Sequence, residues 1–227
     1  MTTATLAVWN DIDAGTETDF ESWYEGEHVP ERLSVPGFRD AWRGIAVDGE
    51  PKYCALYRLD SLAVLQQPYY LERLANPTPR TTTIMPHFRR MNRSACLVVA
   101  ADGAGAGAAK LTWLLAAPTG DGVDPVAAAL GRLRAAVPDV LSAGLWAAEP
   151  SLSVIRTAEQ GMRPEPDRCV DRVLVLDADA VDTLDRARGA LLGLAASGGW
   201  MDRLGTAGVY QRLSYRVSTQ GHLPAAQ

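Results

Sequence analysis

"VPGFRDAWRGIAV", residues 35 to 47, has a second version later in the same chain, "VPDVLSAGLWAAE", residues 137 to 149. In both, a Val-Pro start leads into a strand-like run, and the same order of elements recurs around each copy. An apolar strand comes first, "TLAVWN" at 5–10 and "KLTWLLAA" at 110–117. Helical segments follow over about 18–32 and about 123–136. After the Val-Pro strand come "KYCALYRLDS" at 52–61 and "DRVLVLDADA" at 171–180. Each leads into a second helix and a last strand, "HFRRMNRSACLVVAA" at 87–101 and "AGVYQRLSYRVST" at 207–219. The pattern is β-α-β-β-α-β written twice, the ferredoxin-like unit in tandem. A four-stranded sheet with helices on one side leaves its other face bare. The chain is therefore expected to be α+β, with two tandem ferredoxin-like units, 1–100 and 110–219, packed sheet to sheet as an α/β barrel. "ADGAGAGAA", residues 101–109, reads as the Gly/Ala linker between them, and 220–227 as a flexible tail. The linker does not make a phosphate loop, because the run after it reads as a strand rather than a helix.

The two copies differ in their first helix. Phe20, Trp23, Tyr24, Glu27, His28 and Glu31 fall at i, i+3, i+4, i+7, i+8 and i+11, one stripe that starts aromatic and ends ionisable. The matching segment of the second half, "PVAAALGRLRAAV", puts Val126, Leu130, Leu133 and Val137 there, with nothing titratable. An unpaired buried charge is costly, so a structural helix has no reason to carry that polar end. The site is placed in the first unit, and the second is read as scaffold.

Pro30 lacks an N–H and biases Val29 away from helical geometry, so the helix is expected to end near Glu27-His28. Free carbonyls at such an end favour a cationic His, and Glu27 or Glu31 would do the same. His28 is thus the candidate general acid or base, with Glu27 and Glu31 to orient or charge it. The alternative is a His that caps its own helix beside two solvated glutamates. His87 opens the last strand of the first unit among Arg89, Arg90 and Arg93, where an anionic group could be held, or where a basic strand edge is simply solvated. Trp9, Asn10, Tyr24, Trp42, Tyr53 and Tyr57 offer aromatic walls and hydrogen-bonding groups for a small apolar or aromatic molecule, and would serve equally well in an ordinary core. His222, in the tail, is given no role.

Composition excludes other classes. The chain has 227 residues, 47% hydrophobic and 22% charged, enough for a substantial core. Its net charge of -5 argues against a nucleic-acid partner. No apolar run reaches the ~18 residues of a membrane span. "MTTATLAVWND" does not resemble a secretory signal, and Cys54, Cys96 and Cys169 show no paired spacing, which fits reduced thiols in the cytoplasm. There is no H-x-x-x-H or Cys pair for a metal and no G-x-S-x-G for a serine nucleophile.

"DFESWYEGEHVPERLSVPGFRDAWR" at 19–43, with "PKYCALYRLDS" at 51–61, resembles the dimeric α/β-barrel superfamily, particularly its EthD-like branch. The resemblance spans roughly 3–100; the second half is similar in topology only and lacks the E-H-x-P-E-R signature. It implies a site in the cleft between sheet and helices, with His28 as the residue to carry over. It further implies a tandem copy acting as a built-in partner, so a monomer with an internal pseudo-dimer, or else a homodimer. The expected function is a cofactor-independent enzyme using His-centred acid/base chemistry on a small aromatic or polyketide-like substrate, by cyclisation, dehydration, decarboxylation or isomerisation. The alternatives are a cofactor-free monooxygenase of the same fold and a non-catalytic small-molecule-binding protein.

Overall fold

The computed structural model describes residues 4–119 and 122–220. The tail beyond 220, with His222, lies outside them. The first half runs β1 (Ala4–Ile12), α1 (Glu17–Trp23), a wide turn (Tyr24–His28), α2 (Val29–Leu33), β2 (Phe38–Gly49), β3 (Tyr53–Leu59), α3 (Pro68–Ala75), α4 (Pro79–Ile84) and β4 (Phe88–Gly103). The second runs β5 (Ala109–Leu115), α5 (Pro125–Ala136), β6 (Ser142–Ala148), α6 (Pro150–Ser153), α7 (Ala158–Gly161), β7 (Arg172–Ala178), α8 (Val181–Gly198) and β8 (Leu204–Val217). No helix among the described residues is long and apolar enough to cross a membrane.

The eight strands form one closed antiparallel barrel in the order β1-β3-β2-β8-β5-β7-β6-β4. The first half contributes the run β4-β1-β3-β2 and the second the run β8-β5-β7-β6. The expected barrel made by both halves is present: it closes edge to edge through β2 with β8 and β4 with β6, which leaves the inner faces of the two runs facing each other across its interior. The physical reason is the length of those strands: β2, β4 and β8 have 12, 16 and 14 residues. Left open, such edges would present rows of unpaired N–H and C=O groups, and closure removes them.

Alternation along the strands then divides the core in three. Ala7, Trp9, Trp42, Cys54, Leu56, Cys96, Val173, Val175 and Tyr210, drawn from both halves, fill the barrel. Leu6, Val8, Ala55 and Tyr57 point outward against Phe20, Trp23 and Tyr24 of the first helical layer. The second half has a separate outer core, where Leu111, Leu174 and Leu176 pack against Leu130, Leu133, Leu184 and Leu191.

Strand β4 extends into the expected linker as far as Gly103, and β5 begins at Ala109. The short connection is held tightly: Gly107 N–H donates to Asp177 Oδ1 at 3.2 Å, and Trp42 Nε1 donates to the Gly107 carbonyl at 3.3 Å. A Cβ at Gly107 would lie 2.1 Å from the Ala178 carbonyl oxygen. Gly107→Ala is therefore expected to destabilise the protein by about 1–3 kcal/mol, read as a lower thermal midpoint. An unchanged midpoint would mean that this connection can swing clear.

The connection between β6 and β7, residues 149–171, is far longer than its counterpart between β2 and β3, residues 50–52. It carries α6 and α7 across to the first half. Glu149 N–H donates to the Ala95 carbonyl at 2.7 Å, Arg168 N–H to Met91 at 2.8 Å, and Arg93 N–H to Arg168 at 2.9 Å. This strap covers the outer face of β1, β3 and β4.

Candidate active site

The first helix does not break at Glu27-His28. Val29 N–H reaches back five residues to the Tyr24 carbonyl, forming a π-helical turn over Tyr24–His28, and the helix continues to Leu33. Pro30 falls in the first turn of α2, where a missing N–H is tolerated. Widening one turn absorbs what would otherwise be a clash, and such bulges recur at functional sites. The wide turn also aligns residues five apart. The His28 ring lies 4.5 Å from that of Trp23 and 4.8 Å from that of Tyr24, centroid to centroid. Arg43 of β2 stacks 3.9 Å from the Tyr24 ring and pairs with Glu25, fastening the turn to the barrel.

His28 lines a cavity of about 40 Å³ between the outer face of the barrel and the helices. Tyr24, Arg32, Tyr57 and Tyr70 share its wall, with Leu6, Val8, Met85 and Phe88 as apolar surface. The strap supplies Glu159, Gln160, Arg163 and Asp167. Arg32 Nη2 donates to both Glu159 oxygens, at 2.6 and 2.9 Å. Arg163 donates to both Asp167 oxygens, at 2.7 and 2.5 Å. Arg93 donates to the Leu152 and Ser153 carbonyls and to Tyr70 Oη at 3.1 Å.

This surrounding sets the charge states. His28 is half-buried, and its Nδ1 is sealed with no hydrogen-bond partner among the described residues. Burial, reinforced by the positive charges of Arg32, Arg43 and Arg163, pushes its pKa well below 6.5. The cationic His expected at a free helix end is corrected accordingly, because there is no free end and the nearest charges are arginines. Burial disfavours the Arg32 cation, but Glu159, Tyr70 and Glu31 outweigh it and keep the guanidinium charged. Arg32 Nη1 has no hydrogen bond among the described residues, and the Glu31 carboxylate lies 3.6 Å from it. Burial raises the Tyr57 phenol well above its ordinary value and also raises Tyr24, so both stay protonated. Tyr57 Oη donates to Tyr24 Oη at 3.0 Å, which leaves the Tyr24 proton available to the cavity. The site thus combines a neutral imidazole, a phenol donor and incompletely bonded arginines around a small space.

Of the residues singled out in the sequence, His28, Tyr24, Tyr57 and Arg93 meet at this cavity. Glu31 lies outside the lining, 3.6 Å from Arg32, with its carboxyl raised by burial, an effect that Arg32 offsets in part. Glu27 is turned away and accepts from the Thr78 hydroxyl at the start of α4. Tyr53 is tied to Glu21 at 3.0 Å, and Asn10 Nδ2 to the Asp11 carbonyl at 3.0 Å. Trp9 points into the barrel, donating to Thr112 Oγ1 at 3.0 Å, and Trp42 is also inside. The placement of Trp9 and Trp42 in one pocket with His28 is thereby corrected, because successive strand residues face opposite sides of the wall; Tyr53 shares the outer face with Tyr57 but packs on Phe20 outside the cavity lining. His87 sits at the rim with Asp13 at 3.1 Å, where Arg89 also pairs with Asp13 at 2.7 Å. Arg90 pairs with Asp11 and Glu50, so this cluster is internally matched.

Sequence reasoning passed over Arg32, Tyr70, Glu159, Arg163 and Asp167. The signal for the last three was the length and charge of "EQGMRPEPDR", 159–168, which has no counterpart in the first half. Among the described residues, no group of three or more His, Cys, Asp or Glu side chains is placed to hold a metal ion.

No family model matches the chain, and no curated protein matches it in sequence. Solved structures match it in shape. An anthrone oxidase-like protein superposes with a TM-score of 0.62 at 13% identity, covering 100% of this chain and 97% of that one. A protein of Fusobacterium nucleatum described as a candidate monooxygenase gives 0.57 at 11%, covering 98% and 96%. A heme-binding protein of Thermus thermophilus gives 0.52 at 11%, covering 94% and 92%. These neighbours belong to the dimeric α/β-barrel superfamily, and at such identities the likeness shows the fold alone. A haem needs an axial ligand facing an open slot. Here the His28 ring is packed against Trp23 and Tyr24, and the cavity holds about 40 Å³ crossed by the Tyr57–Tyr24 pair. The residues present do not fit that group.

Proposed function

We propose that the chain is a cofactor-independent enzyme that removes a proton from a small aromatic or polyketide-like substrate, with His28 as the base. The observation that carries this reading is a neutral imidazole held among arginines on the wall of a covered cavity. A neutral His can accept a proton, whereas an imidazolium cannot. The electron pair left on the substrate becomes an enolate or phenolate oxygen, for which Arg32, Arg163 and the Tyr24 hydroxyl offer positive charge and a donor. Proton transfer converts a neutral pair into an ion pair, so the net charge of the site does not change.

Two fates are open to such an anion. Elimination, cyclisation, decarboxylation or isomerisation completes the reaction without an oxidant, while direct reaction with molecular oxygen makes the protein a cofactor-free monooxygenase. The oxidase-like and monooxygenase names of the structural neighbours favour the second. An anthrone is a suitable first probe, with oxygen uptake and product formation followed in air and under nitrogen. Uptake that tracks product supports the oxygenase; product formed without oxygen supports the lyase-type reaction. Tight binding with no turnover of any such phenolic ketone would leave a carrier and overturn the enzyme.

The strand runs β4-β1-β3-β2 and β8-β5-β7-β6 support reading the chain as two ferredoxin-like units, the second standing in for a partner subunit. The EthD-like assignment rests on E-H-x-P-E-R and the cytoplasmic one on unpaired Cys54, Cys96 and Cys169.

A cavity of about 40 Å³ holds little more than water, so substrate entry requires the strap to lift. Glu159→Gln is expected to loosen it, since a neutral amide is a weaker partner for Arg32. Faster proteolysis within 150–168 would report this, and an unchanged cleavage rate would show that the strap is held by its backbone bonds instead.

A further inference from the structure

A separate cavity of about 310 Å³ opens at the barrel mouth, where β1, β2 and β5 begin and β3, β7 and β8 end. Its size is in the range of small-molecule sites, roughly 300–1,000 Å³. It lies inside the barrel, on the opposite side of the β1–β3 wall from His28. Lys110 and Asp177 form an ion pair there at 6% and 7% exposure. Charges are not placed inside a barrel at no cost.

The hydrogen bonding is one-sided. The Lys110 ammonium has three donors and, among the described residues, uses one, on Asp177. Arg58 commits Nε and Nη2 to Asp40, and its Nη1 has no partner among the described residues. Thr5 and Trp146, each carrying a side-chain donor, also line the cavity. Of the two carboxylates, Asp177 Oδ1 takes Lys110 and Gly107 N–H and its Oδ2 takes the Ser142 hydroxyl at 3.0 Å, while Asp40 takes Arg58 and the Tyr215 hydroxyl. Arg212 adds a positive charge near enough to act on Lys110. Trp42, Trp146 and Tyr215 supply flat apolar walls, with Lys110 5.1 Å from the Trp42 ring. Spare donors, filled acceptors and aromatic walls call for a ligand with a ring and an anionic oxygen.

We propose that the barrel mouth is a second binding site, for a small aromatic carboxylate, with its ring between Trp42 and Trp146 and its carboxylate toward Lys110 and Arg58. The site stands independently of the chemistry at His28.

Naphthoate is the probe, titrated into the full chain by calorimetry and by quenching of indole fluorescence. One saturable site is expected. Lys110→Met combined with Asp177→Asn removes both charges together and should weaken binding about tenfold or more, as should replacing naphthoate by neutral naphthalenemethanol. Arg58→Gln should weaken it several-fold, measured below the variant's own melting midpoint, which falls because the buried Asp40 loses its partner, and decides the matter alone if the double variant fails to fold. His28→Ala should leave binding intact. The proposal is overturned by the absence of saturable binding below about 1 mM, by affinity indifferent to Arg58→Gln, by equal affinity for the neutral analogue, or by loss of binding in His28→Ala.

Discussion

His28→Ala is expected to lower turnover by about 10²–10⁴-fold, the usual contribution of a positioned acid or base, while substrate affinity changes little. His28→Gln should behave alike, since an amide fills the space without accepting the proton. A variant that binds and turns over normally would remove His28 from the chemistry; one that fails to fold would make it a packing residue against Trp23 and Tyr24. The pH dependence separates these cases further. Burial and the nearby arginines hold the folded-state pKa of His28 well below 6.5, so the base is neutral throughout the physiological range. The rate should therefore stay flat as pH falls through 6.5, with its acid limb at lower pH. The same shift acts on stability. The unfolded chain takes up a proton near 6.5 and the folded chain does not, so stability is full above that pH and declines as pH falls from 6.5 toward the lower folded value. An inflection in the wild-type rate at the ordinary His value, lost in His28→Ala, would show that the imidazole titrates freely.

Glu159→Ala is expected to cost about 3–5 kcal/mol, because it strands a buried guanidinium. The side chains of Arg32 and Glu159 are 3% and 4% exposed, so solvent does little to screen the loss. Arg32→Met combined with Glu159→Met should recover most of it, since paired apolar groups of similar volume replace buried ion pairs well. Urea denaturation of the two single variants and the double variant measures the coupling. A single-variant cost below about 1 kcal/mol would place the pair among ordinary surface bridges and remove the clasp between strap and helix.

Local chemistry made part of this legible in advance. The aromatic stripe of the first helix could be read because Phe20, Trp23, Tyr24 and His28 face one way, and they do so on α1 and the wide turn that follows it. The effect of Pro30 could not, because the chain has two answers to a missing N–H, an end or a bulge. The packing of Trp23, Tyr24 and Arg43 selects the bulge. Trp9 and Trp42 were read as pocket walls from their type alone, and only closure of the barrel decides which side of the wall they face.

The sequence by itself determined the order of the strands, the Val-Pro entry to β2, and the contrast between a titratable first helix and an apolar α5. These depend on residue spacing within a few turns, where side-chain periodicity and backbone geometry act. The tertiary structure decided the edge-to-edge closure through β2 with β8 and β4 with β6, the strap over the cavity, and the neutrality of His28. Those depend on partners distant in the chain, as Arg32 and Glu159 are by 127 positions. Burial and electrostatic fields arise only when such groups are brought together, and no local pattern encodes their sum.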